Sequence, residues 1–325
     1  MRTEASNRGA ELVERAHSMF RGDGSGEVST VYPALAQADP DEFGLALVDV
    51  HGAMHEAGDT HRPFVLMSAA KPFTFAAVAE ELGVERVRER VGMNATGRAF
   101  NSTEAVERES AGRTNPMVNA GAILTCSLIP GDDVEARWEF LRERLSDFAG
   151  AELELDQPTY DSAMRTNHRN RALTWLLVDV GALTSDPEQA LDLYTRQSCL
   201  AVEAVQLATM GATLANGGVN PIHRRRVTTS EVARAAMVAM AVAGMYEGSG
   251  DWLWDVGLPG KSGISGAMVT VSPGRGALAS YSPLLDPAGN SVRGKRAAAL
   301  LAQELGLDLF ATVAGPGSLP TDRDA

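Results

Sequence analysis

Cysteine is nearly absent from the 325-residue chain: Cys126 and Cys199 stand far apart, with no Cys-x-x-Cys pair and no histidine beside either. That excludes a disulfide scaffold and a thiolate zinc site, and it fits a reducing compartment. Positive charge is also scarce. With 29 Lys and Arg against 42 Asp and Glu, the formal net charge is −13, so neither nucleic acid nor an anionic membrane surface is an expected partner. The one basic cluster, His223-Arg224-Arg225-Arg226, reads as a solvated loop or a carboxylate-pairing segment. No run of residues reaches membrane-span length, and the opening MRTEASNRGAELVERAHSMFRG lacks an apolar core of signal-peptide length. A cytoplasmic location is therefore expected. Metal motifs are missing too. His51 and His55 are four apart, but Gly52 and the alternating pattern around them place them on a hairpin as turn or surface histidines.

What is present is an ordinary globular composition, 44% hydrophobic and 22% charged, in a chain long enough for one large domain or two lobes. FGLALVDVHGAMHEAG alternates around His-Gly, and GAMVTVS-PGRG-ALASYSP does so around a second turn; both predict hairpins. Between them the spacing of apolar residues predicts helices, with starts at Asp186-Pro187 and Thr229-Ser230 and stops at Gly181 and Gly217-Gly218. NSVRGKRAAALLAQELG reads as a closing helix. Strands at both ends with helices between them predict an α+β fold: a mainly antiparallel sheet built from both chain ends, flanked by helices, with a helical lobe inserted. The expected division is a lead-in segment at 1–25, a discontinuous sheet lobe at 26–67 and 250–313, a mainly helical lobe at 68–249 and a tail at 314–325.

Within FVLMSAAKPFTFAAVAEELG, Ser68 and Lys71 are three apart, hence on one face of a helix. Serine needs a base to become a nucleophile, and lysine is a base only when desolvation or a neighbouring cation lowers its pKa. Alone, Ser-x-x-Lys is weak, because serine caps helices and lysine snorkels to water. GLPGKSG strengthens it. A Lys-Ser-Gly strand, here Lys261-Ser262-Gly263, beside a Ser-x-x-Lys helix is the arrangement of penicillin-recognising serine enzymes.

NPMVNAGAI, RNRA, LYTRQSC, ATLANGGVNP, GMYEGSG, GLPGKSG and SPLLDPAGNSVRG, in that order, resemble the motifs of the bacterial serine-dependent glutaminases, from about Gly26 to Phe310. The resemblance implies a β-lactamase-like fold, a cofactor-free and metal-free hydrolase, a small amide substrate such as L-glutamine, and a homodimer or homotetramer. It implies that Ser68 attacks the side-chain amide, that Lys71 accepts the proton, and that Tyr194 serves acyl transfer and touches substrate. Lys261 supplies a second positive charge and Ser262 joins the proton relay. Backbone N–H groups of Ser68 and Ile264 form the oxyanion hole, and Asn119, Asn170 and Tyr246 hold substrate.

Several positions depart from the family's pattern. Met67 stands where the family has glutamine. Pro72 follows the lysine and disfavours the helical region for Lys71. Ala163 replaces the glutamate that pairs with the substrate's α-ammonium, with Asp161 two residues away as a substitute. Asn94-Ala95-Thr96-Gly97 replaces Glu-Pro-Ser-Gly. These departures keep open a serine amidase for another small amide and a catalytically inactive binding protein.

Overall fold

The computed structural model describes residues 2–108 and 110–311; the tail at 314–325 lies outside them. Both hairpins form. Gly44–Asp49 (β1) pairs with Met54–Gly58 (β2), Leu45 lying opposite Ala57. Near the other end come Gly260–Ser262 (β3), Ala267–Ser272 (β4) and Gly276–Tyr281 (β5). Strand β5 runs antiparallel to β1, with Gly44 opposite Tyr281 and Asp49 opposite Gly276, which joins the two ends of the chain in a five-stranded sheet of order β2-β1-β5-β4-β3.

The helices that frame the sheet and the site are, in chain order, Arg2–Phe20 (α1), Lys71–Leu82 (α2), Asn119–Ser127 (α3), Gln157–Thr166 (α4), His168–Asp179 (α5), Pro187–Ser198 (α6), Ala204–Ala215 (α7) and Val292–Glu304 (α8). Alternation along the strands sorts side chains to two faces. Leu45, Met268 and Leu278 meet Leu12, Val13 and Ala16 of α1 and Ala297, Ala298 and Leu301 of α8. Ala46, Val48, Val269, Val271, Ala277 and Ala279 face the main core, where α7 lies across the strands. Gly211 permits that approach: a Cβ there would stand 2.6 Å from the Cβ of Ala277 and 2.8 Å from Cγ2 of Val269.

The helix signals act where expected. Asp186 accepts from the N–H groups of Glu188 and Gln189, with Pro187 in the first turn of α6. Thr229 caps the helix Ser230–Ala243 in the same way. Gly181, Gly217 and Gly218 take positive φ just past helix ends. The basic cluster is a loop: His223 and Arg226 donate to the carbonyls of Gly150, Gly217 and Thr228, while Arg224 and Arg225 are exposed. No described helix is long and apolar enough to cross a membrane.

Candidate active site

Phe64–Val65 pairs with Ala201–Val202 and leads the chain into a 3₁₀ turn, Met67–Ala70, which runs directly into α2. The N–H of Lys71 donates to the carbonyl of Ser68 and closes that turn. Side chains at i and i+3 eclipse in 3₁₀ geometry, so Ser68 and Lys71 leave the backbone on one side. Pro72 does not displace Lys71, which is helical at φ −53°, ψ −45°. The proline lies in the first turn of α2, where its fixed φ suits the helix. Strain falls on Met67 instead, at φ +47°, and on Tyr246, at φ +57°. A non-glycine residue in the left-handed region costs about 1–2 kcal/mol, and both of these flank Ser68 as strain at a functional site often does.

The two lysines are dry. Lys71 is 1% exposed and Lys261 fully buried. Burial lowers Lys71 to about 7. Burial, and then the charge of Lys71, push Lys261 well below its ordinary value. Lys71 Nζ donates to Asn119 Oδ1 at 2.7 Å and to the Met117 carbonyl at 3.3 Å. A neutral amine has two hydrogens, and these two acceptors use both, which leaves the lone pair over. Lys261 Nζ donates to the Ser262 carbonyl at 2.8 Å.

Tyr246 stands near both amines. Its ring centroid is 4.0 Å from Lys261 Nζ and 5.9 Å from Lys71 Nζ. Burial pushes its phenol up to about 12, and hydrogen bonding with the hydroxyls of Ser68 and Ser262 pulls the other way. Ser262 donates onward to Asn290 Oδ1 at 2.6 Å. Sequence reasoning gave Tyr246 a substrate contact only and missed Asn290, which carried no signal beyond its place in the SPLLDPAGNSVRG stretch.

A second polar line runs the other way. Asn119, at the start of α3, donates through Nδ2 to Asn170 Oδ1 at 2.9 Å, and Asn170, in the first turn of α5, donates to the Tyr32 hydroxyl at 3.3 Å. Neither side chain caps its helix. Tyr194 on α6 lies with its ring 5.8 Å from Lys71 Nζ, and burial, reinforced by Tyr32, pushes its phenol well above the ordinary value. Gly263 brings the strand end against the serine turn, since a Cβ there would stand 2.6 Å from the Leu66 carbonyl.

Ser68, Asn119, Asn170, Tyr194 and Ile264 line one cavity of about 110 Å³. Lys71, Lys261, Ser262 and Tyr246 do not line it; they form the buried layer that reaches Ser68 through the Tyr246 phenol. A space this small, far below the roughly 300 Å³ of a drug-sized pocket, suits a ligand of amino-acid size. Ala163 is 1% exposed and packs in an apolar cluster with Met67, Val65, Leu35 and Cys199. Asp161 does not take its place: it is exposed and accepts from Gln157 Nε2 at 2.7 Å. The segment 94–98 lies on the far side of Tyr246, held by the bond from Asn115 to the Asn94 carbonyl and by the Arg98–Glu104 ion pair.

Comparison with known proteins points the same way as this geometry. The Glutaminase family model matches residues 26–310. Glutaminase 2 of Yersinia pestis is 52% identical over 300 residues, 92% of this chain and 88% of its own. A glutaminase of Brucella canis is 46% identical over 287 residues, 88% and 90% of the two chains. The solved structure of the probable glutaminase ybaS superposes with a TM-score of 0.92 at 38% identity, covering 94% of this chain and 98% of its own. Another solved glutaminase, from Bacillus, gives 0.84 at 30% identity over 93% and 99%. By sequence, by fold and by extent of match, the chain belongs to the glutaminase family.

Proposed function

We propose that this glutaminase hydrolyses L-glutamine to L-glutamate and ammonia through an ester on Ser68, with Lys71 as the base. One observation carries the reading: a buried amine with a pKa of about 7, its two neutral-state hydrogens already committed, shares one side of a 3₁₀ turn with the only partly exposed residue of that turn, Ser68. Lys71 takes the hydroxyl proton as Ser68 Oγ bonds to the amide carbon, then returns it to the nitrogen as the C–N bond breaks and ammonia leaves. Water attacks the ester with Lys71 again as base, and glutamate departs.

Backbone N–H groups of Ser68 and Ile264 are assigned to the developing oxyanion. Tyr194 assists the acyl-transfer or hydrolysis step and contacts substrate with Asn119, Asn170 and Tyr246. Lys261 and Ser262 complete the relay on the other side of Tyr246. Assembly into a homodimer or homotetramer in the cytoplasm belongs to the same reading; Val238 and Val242 on one helix and the 90% exposed Trp254 on the next supply apolar surface for it. An inactive scaffold, or an amidase that no longer acts on glutamine, is disfavoured by the identity of 46–52% to glutaminases.

The test is ammonia release from L-glutamine by wild type and Ser68→Ala, together with intact-mass analysis after exposure to an electrophilic glutamine analogue. Wild type is expected to release ammonia and gain one adduct, and the variant to do neither. Equal activity in the variant would refute the assignment.

A further inference from the structure

The cavity in front of Ser68 offers hydrogen-bonding groups and one positive charge, but no negative charge. Among the described residues that line it, Arg169 is the sole charged side chain, and none is aspartate or glutamate. Asn119 Oδ1 already accepts from Lys71, and Asn170 Oδ1 accepts from Asn119. Asn167, which also lines the cavity, keeps an unpartnered Oδ1, an acceptor without charge. The acids nearest in the chain are committed elsewhere. Asp156 caps α4 through the Thr159 N–H, Asp161 bonds Gln157 on the exposed side, and Asp192 holds Arg196 and the Tyr160 phenol. Beside them Ala163 and Met67 make a wall with no charge.

Such a cavity matches one end of an amino acid and not the other. A carboxylate entering it meets Arg169 and amide N–H groups. An ammonium entering it leaves water for a wall with no counter-charge, which is unfavourable for a cation. A substrate with hydrogen at that carbon loses nothing there.

We propose a further activity of this site: hydrolysis of the ω-amides of dicarboxylic acids that keep the free carboxylate but carry no α-ammonium, with glutaramate as the simplest five-carbon member. The inference rests on the amide-hydrolase reading of Ser68. The step is unchanged: Ser68 Oγ bonds to the amide carbon, the C–N bond breaks, nitrogen leaves as ammonia with the serine proton, and water releases the dicarboxylate.

The experiment measures ammonia release from glutaramate and from L-glutamine by wild type, with Ser68→Ala as control for both. The expected kcat/KM for glutaramate lies within tenfold of that for glutamine, or above it. Glutaramate more than tenfold poorer, with glutamine hydrolysed, overturns the inference and leaves the glutaminase reading intact. No Ser68-dependent ammonia from either substrate overturns both. Ala163→Glu is expected to raise the glutamine-to-glutaramate ratio by tenfold or more; an unchanged ratio in a folded variant overturns the charge argument. Should that variant fail to fold, the wild-type ratio still decides.

Discussion

Lys71 keeps its two acceptors, Met117 O and Asn119 Oδ1, whether or not it carries a third proton, and with a pKa of about 7 it sheds that proton near neutrality. The base is the neutral form, so kcat/KM for glutamine should rise about tenfold per pH unit below pH 7 and level off above it. A profile flat from pH 5 to 8 would contradict that assignment. Lys71→Arg, which cannot deprotonate, should lower kcat by about 10²–10⁴-fold. Tyr246→Phe keeps the ring beside the amines but removes the phenol that faces Ser68 and Ser262. We expect kcat to fall about 10²-fold, read from steady-state kinetics. The placing of Ser68 and Lys71 on one side of a turn was legible because spacing puts i and i+3 together on any helical turn. Pro72 was misjudged because its effect depends on where the helix begins, which tertiary contacts decide. The phenol between Ser68 and Ser262 was illegible, since nothing local ties residue 246 to residues 68 and 262.

At the scale of elements, the contact of α7 with the sheet depends on a missing side chain. Gly211→Ala would place a methyl 2.6 Å from the Cβ of Ala277 and should destabilise the fold by about 1–3 kcal/mol. The urea midpoint should drop while activity per folded molecule stays near wild type, because the added methyl crowds Ala277, Val269 and Val271, which are not site residues. The hairpins and the caps at Asp186 and Thr229 were readable, since alternation and short polar side chains act over a few residues. The pairing of Phe64–Val65 with Ala201–Val202 was not, because two residues carry no periodicity. Helix α1 read as a lead-in, and its amphipathic stripe was the clue to its real place: Leu12, Val13 and Ala16 cover one face of the sheet together with α8.

For the molecule as a whole, two buried lysines tie stability to pH. The folded pKa of Lys71 is lowered to about 7 and that of Lys261 is also depressed, so above about pH 7 the unfolded chain binds protons that the folded one does not. Stability should therefore rise with pH from 7 towards 9 by about 1 kcal/mol per unit for each such lysine, and fall as pH drops back. Lys71→Met should roughly halve the rise in urea midpoints over that range, since Lys261 remains. The antiparallel order β2-β1-β5-β4-β3 has a separate consequence during synthesis. The first hairpin leaves the ribosome long before β5, its main-chain partner, has been translated, and until then one strand edge stays open to any passing polypeptide. Completion of this protein is thus a late event, and a nascent chain stalled ahead of Gly276 would hold the serine turn without the sheet that steadies it.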